Sequence, residues 1–281
     1  MKTIFIFIII LTAFVTTINK ADAQKMYAGL NLTYGMGICR MEGVLYSANL
    51  ENNVDTYKST AFSLGKGLSS GAYVGYMIRS NVGLELGINY FRGFYGTVYS
   101  DAATAMEYHY LEEFRIKANA LRCVPAVRVN FGEKKLRTYI KTGIVLNAFT
   151  EGTLNVDYHE HSMGDSQESH YVQKFTGGLS IGFHSGVGLT YALGKCTLFF
   201  EATAYLQNWA PKHSEITEYT ENGINALAVM TTSEKEIDYV NEYSYNYTNP
   251  PNESEPSKEL RFLLPMSSVG ITLGVQVPLG K

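Results

Sequence analysis

Ser268-Val269-Gly270-Ile271-Thr272-Leu273-Gly274-Val275-Gln276-Val277 is the stretch whose reading decides the fold. Its odd-numbered positions are Val, Ile, Leu, Val and Val, and its even-numbered positions are Ser, Gly, Thr, Gly and Gln. A repeat of two is that of a β-strand, whose successive side chains point to opposite faces. A strand face turned to water normally carries Lys and Glu. This one carries hydroxyls, an amide and bare glycines, which suit the crowded interior of a narrow barrel. The apolar face must then look outward, onto hydrocarbon.

The same alternation recurs. Leu179, Ile181, Phe183, Val187, Leu189 and Tyr191 oppose Gly178, Ser180, Gly182, His184, Gly186, Gly188 and Thr190, in a run that begins at Phe175. Val82, Leu84, Leu86, Ile88 and Tyr90 oppose Gly83, Glu85, Gly87 and Asn89, and a fourth clear run spans 198–207. Weaker runs cover about 27–38, 67–78, the segment ending Leu121, Cys123, Val127 and Val129, and that bearing Ile140, Ile144 and Leu146. Pro125 interrupts one of them and predicts a local irregularity, because proline cannot donate to a ladder. The connections alternate between tight ones at 79–81, 132–135 and 194–196 and long polar ones at roughly 39–66, 97–112, 150–172 and 210–260. Short turns at one end and long loops at the other mark a transmembrane β-barrel. The expected fold is therefore all-β: a closed, antiparallel, up-and-down barrel of eight strands. Aromatic residues near strand ends, such as Tyr90, Phe91, Phe94, Tyr95 and Trp209, are expected in girdles at the membrane interfaces.

Composition agrees. Only 17% of the chain is charged, against about 25% in soluble domains, and it holds 26 glycines and 21 tyrosines. A net charge of −3 argues against a nucleic-acid partner. Residues 1–23 read as a cleaved export signal: Lys2, then an apolar run from Ile4 to Val15, then Ala21-Asp22-Ala23 as the cleavage pattern. The rest, 24–281, reads as one barrel domain delivered to the bacterial outer membrane. Cys39, Cys123 and Cys196 are expected as free thiols, because the first and last fall at opposite ends of the barrel.

The Ala21-Asp22-Ala23-Gln24 junction and the final strand give the chain a resemblance to the small eight-stranded outer-membrane barrels of the OmpA-like and OmpX-like group, and to the outer-membrane β-barrel domain proteins of Bacteroidetes. The likeness is one of pattern along 24–281 rather than of a specific motif. It implies outer-membrane lipid, including lipopolysaccharide, and the barrel-insertion machinery as partners. Many such barrels end on an aromatic residue, whereas this sequence ends Pro278-Leu279-Gly280-Lys281.

Function is expected in the loops. Inward-facing Glu85, Arg122, Arg128, Lys141 and Glu201, with His184, are read as a structural polar network that plugs the lumen, since isolated buried charges cost several kcal/mol. Ser185 points away from His184, so the two form no catalytic dyad, and no catalytic residue, cofactor or metal is expected. The loop carrying Asp157, His159, Glu160, His161, Asp165 and His170 has no zinc-site spacing and is read as solvated. The acidic fourth loop bears Tyr239, Tyr243, Tyr245 and Tyr247, candidate contacts for an extracellular protein or glycan ligand. A surface-interaction barrel is the first reading; a small diffusion channel and a lipid- or peptide-modifying enzyme are the alternatives.

Overall fold

The computed structural model describes residues 26–38, 41–105, 108–132, 135–162, 165–244 and 252–279. The expected export signal, Cys39, Tyr245 and Tyr247 lie outside the described residues. The first strands in chain order are β1 (Met26–Gly37), β2 (Met41–Asn49), β3 (Val54–Phe62), β4 (Gly67–Met77), β5 (Val82–Gly93) and β6 (Gly96–Ala105). They are followed by β7 (Tyr108–Phe131), β8 (Leu136–Ser162), β9 (Asp165–Thr176), β10 (Ser180–Leu193), β11 (Cys196–Trp209) and β12 (His213–Glu221). Last come β13 (Ile224–Asn225), β14 (Glu236–Val240), β15 (Ser257–Leu260), β16 (Leu264–Pro265) and β17 (Ser268–Pro278). All belong to one mostly antiparallel sheet.

Eight strands form a ring. β1 pairs with β4; β5, β7, β8, β10, β11 and β17 follow in turn, and β17 pairs back with β1, every contact antiparallel. Inside the ring sit Thr33, Ser69, Glu85, Asn89, Arg128, His184, Glu201 and Thr272, all buried. Outside it Leu30, Leu32, Ile88, Val127, Ile144, Ile181, Val187, Leu198 and Leu273 are each more than one-third exposed. Water-soluble packing has been turned inside out. Among the described residues no helix is long and apolar enough to cross a membrane, which says nothing about strands.

The long connections are not bare loops. β7 and β8 run on past the ring as a hairpin, and β2, β3, β6, β9, β12, β14 and β15 pair beside it to give the order β3-β2-β6-β7-β8-β9-β12-β14-β15. The pairs β2–β6 and β14–β15 are parallel. Extended pairing satisfies backbone groups that an irregular loop of such length would leave to water.

One local break corrects the sequence reading, and a second agrees with the irregularity expected at Pro125. The run beginning at Phe175 is not one strand, because Gly177 and Gly178 adopt φ of 75° and 78°, where a side chain would be strained. Phe175 therefore belongs to β9, opposite Gly152 of β8, and β10 begins only at Ser180. At Pro125 the β7–β8 ladder skips two residues without changing register. The register shift lies higher, where Leu121 pairs with Phe149 but Arg122 with Asn147, leaving Ala148 as the extra residue of a bulge. That bulge reverses the parity of β8. Tyr139, Val145 and Asn147 face inward below it, and Thr150, Gly152 and Val156 face inward above it.

Candidate functional site: a filled ring beneath a tyrosine-rich sheet

The ring interior is built in layers. Toward the short-turn end, Arg128 Nη1 donates to Glu85 Oε1 at 2.9 Å, and Tyr27 donates to the same oxygen at 2.9 Å. Lys141 Nζ lies 2.9 Å from Glu201 Oε2 and 3.6 Å from Glu85 Oε2. Tyr139 also donates to Glu201, at 2.8 Å. His184 Nε2 bonds Thr203 Oγ1 at 2.9 Å and stands 3.7 Å from Glu201 Oε1. Two carboxylates thus meet two cations in a water-poor space, which is the condition for holding buried charge.

The inward glycines have a more particular use than filling a narrow space. A Cβ on Gly75 would stand 2.2 Å from the Tyr27 ring, and one on Gly29 would stand 2.4 Å from Tyr73. Gly188 and Tyr139 are related in the same way at 2.4 Å. Each glycine makes room for a tyrosine of a strand beside it; Tyr27 and Tyr139 carry hydroxyls that complete the charge layer, and Tyr73 donates to Gln276 at 3.5 Å.

Arg122 does not join the network. It is buried to 1% exposure, and its guanidinium lies 4.1 Å from the Phe91 ring and 4.9 Å from the Tyr205 ring. Among the described residues its Nε and Nη2 have no hydrogen-bond partner. Aromatic faces, rather than carboxylates, take its charge. Above it Phe91, Ala118, Ala120, Trp209, Leu264 and Met266 pack with Phe62, Phe175 and Tyr239 into an apolar plug. Trp209 and Phe91, expected in an interface girdle, are 0% and 2% exposed, while Tyr90, Phe94 and Tyr95 do stand outside. Trp209 Nε1 donates to the carbonyl of Gly177, tying the plug to the β9–β10 corner. At the short-turn end the interior opens into a cavity of about 230 Å³ lined by Tyr27, Ser80, Arg128, Asn130, Lys135 and Gln276 among others. Cys123 and Cys196 are free.

No family model matches the chain, and no curated protein matches it. Among solved structures, that of Neisserial surface protein A (NspA) aligns over 90% of this chain and 97% of its own at 10% identity and a TM-score of 0.34. A likeness that distant carries no argument about this chain.

The sheet beyond the ring holds a second constellation. On one face, Tyr99 donates to Asp101, Tyr110 to Glu112 and Tyr158 to Glu160, each bond reaching two residues along its own strand. Asp101 lies directly opposite Glu112, and Tyr110 opposite Glu160, so the three pairs form one patch across β6, β7 and β8. Tyr110 packs edge-on against Tyr158 at 5.5 Å. The bond to Glu160 pushes the Tyr158 hydroxyl up to about 12. Sequence reasoning missed this patch, although its signal was present as three Tyr-x-acid triplets in alternating segments.

The expected tyrosine series divides. Tyr239 is buried at 7% exposure, its hydroxyl 3.0 Å from Ser214 Oγ and its ring against Phe175 and Phe262. It is a core residue, because β14 lays it over the plug. Tyr243 is exposed.

Proposed function

We propose that this chain is an outer-membrane β-barrel of eight strands whose filled interior serves as a rigid base for a surface-interaction sheet. The observation that carries the reading is the inversion of burial: charge and hydroxyls inside the ring, a belt of Leu, Ile, Val and Phe outside it. The dimensions support it. The β1–β17 ladder runs through 11 residue pairs from Tyr27 to Gly37. At about 3.3 Å per residue and a tilt of about 45°, that spans about 26 Å, close to the height of about 25 Å of an outer-membrane apolar band.

The apolar plug and the stacked Arg122 fill the ring between its short-turn cavity and the sheet above, which favours a scaffold over a diffusion path. The sheet then faces the medium with its tyrosines and acids, and the ligand contacted there is an extracellular protein or glycan. Aromatic hydroxyls backed by carboxylates supply contact area and acceptors at little conformational cost. The finer likeness to OmpA-like and OmpX-like proteins belongs to this proposal, as do outer-membrane lipid, lipopolysaccharide and the insertion machinery as partners.

The test is reconstitution of the purified chain in planar bilayers, with unboiled gel migration and outer-membrane fractionation as controls for folding and placement. A heat-modifiable, membrane-fractionated and electrically silent protein is expected. Steady conductance would replace the scaffold with a channel, and a protein found free of the membrane would remove the barrel reading altogether.

A further inference from the structure

The cavity of about 230 Å³ at the short-turn end of the ring is used by nothing described so far. Seven of the eight ring strands contribute a residue to it, β5 being the exception, and the turns add Ser80 and Lys135. Its lining holds three cations: Arg128, buried at the floor, and Lys135 and Arg137, exposed at the rim. Among the described residues that line it there is no carboxylate. Glu85 meets Arg128 from the far side, inside the ring, at 2.9 Å.

The floor is arranged so that donors are left over. A guanidinium offers only N–H groups, so amides bonded to it must turn their oxygens toward it. Arg128 Nε donates to Asn130 Oδ1 at 2.9 Å, and Arg128 Nη1 donates to Gln276 Oε1 at 3.1 Å. Each amide therefore turns its NH₂ group away from Arg128. Asn130 Nδ2 lies 3.7 Å from Met77 Sδ, a weak acceptor. The hydroxyls of Ser80 and Thr197 belong to the walls. The rim is fixed by its backbone: the Ala192 amide donates to the Lys135 carbonyl at 2.9 Å, and Thr190 Oγ1 donates to the Arg137 carbonyl at 3.4 Å.

From this arrangement we propose that the short-turn cavity binds the phosphate group of a small organic phosphate. Cationic and amide N–H groups hold phosphate oxygens through charge-assisted hydrogen bonds. Here the donors come from floor, walls and rim rather than from one side, which suits a tetrahedral oxyanion better than a planar carboxylate. A single water needs about 10–15 Å³, so a space of about 230 Å³ takes a phosphate with a short organic carrier. A soluble phosphate ester and a phospholipid headgroup share this chemistry. The inference stands apart from the surface-interaction reading, which concerns the opposite end of the ring.

The full-length folded chain in non-ionic detergent is titrated by calorimetry with glycerol 3-phosphate and, separately, with the short-chain lipid dihexanoyl phosphatidylglycerol, with acetate as competitor. Saturable binding of at least one phosphate with a submillimolar Kd is expected, weakened by added salt and not displaced by acetate. Binding of glycerol 3-phosphate alone assigns a soluble ligand, and binding of the lipid alone assigns a headgroup. Asn130→Asp, which puts a carboxylate where the amide NH₂ stood, weakens binding tenfold or more, and Lys135→Gln weakens it fivefold or more. Lys174→Gln, exposed on β9 in the outer sheet, leaves it unchanged. Unboiled gel migration confirms that each variant folds. The proposal is overturned if neither phosphate saturates below the millimolar range, if acetate displaces them equally well, or if affinity survives Asn130→Asp.

Discussion

Replacing Glu85 with Ala removes the carboxylate that accepts from Arg128 and Tyr27 at 2.9 Å each and faces Lys141 at 3.6 Å. Glu201 is then left to balance both Arg128 and Lys141 in a space where Glu85 itself is only 5% exposed. At an effective dielectric of about 20, a unit pair at this separation attracts by roughly 6 kcal/mol before desolvation is counted. Measured losses from removing one partner of a buried pair are about 3–5 kcal/mol, equivalent to about two to four decades in the folding equilibrium. Glu85→Gln keeps the shape and removes only the charge, so it should fall in the same range. The double variant Glu85→Gln, Arg128→Met restores neutrality and should be less damaged than the sum of its singles by about 0.5–3 kcal/mol. The assay is urea unfolding from lipid vesicles, with the folded fraction read from unboiled gel migration. If Glu85→Ala lies within about 0.5 kcal/mol of the parent chain, or the double variant equals the sum of its parts, the charge layer does not hold the ring together as argued.

Leu273→Arg tests the membrane belt. Leu273 is 55% exposed at the middle of β17, so in water the change would be close to neutral, whereas at a bilayer midplane it costs about 2–4 kcal/mol; vesicle refolding separates the two. Gly29→Ala places a Cβ 2.4 Å from the Tyr73 ring and should destabilise by about 1–3 kcal/mol, with Tyr73→Ala in the same chain relieving most of the clash in the same urea assay. In the outer sheet, burial raises the Asp157 carboxyl, but hydrogen bonds from Arg115 and His170 outweigh it and hold the group below the ordinary range. Its folded pKa is depressed, so its stabilisation is full above the unfolded value of about 3.9 and is lost as pH falls through the folded one. The protection factor for amide exchange of residues 154–158, taken relative to the intrinsic rate at each pH, should therefore fall on acidification, and Asp157→Asn should remove that pH dependence.

Alternation was legible in the sequence because it is local: each strand repeats its two-residue pattern wherever that strand happens to sit. Val269, Ile271 and Leu273 against Gly270 and Thr272 sufficed to say which side is greasy, and the glycine-rich partner face said which side is enclosed. Glu85, Arg128, Lys141, Glu201 and His184 could be placed on one inward surface for the same reason. Their pairing distances could not, since these depend on which strands stand next to each other around the ring.

What only the tertiary structure decided lies where register, not period, is in control. The extra residue Ala148 flips the parity of β8, and nothing in the surrounding residues marks it. Arg122 shares its strand face with Arg128, yet it sits one layer higher, between Phe91 and Tyr205, where no carboxylate reaches. Tyr239 reads as a surface tyrosine in an acidic loop, and becomes a core residue only when β14 folds over Phe175. His109 meets His161 at the far end of the β7–β8 ladder, with the two long arms of that hairpin lying between them in sequence. A strand carries its own two faces in its sequence, but its neighbours are chosen by the closure of the whole sheet, and every contact between strands waits on that choice.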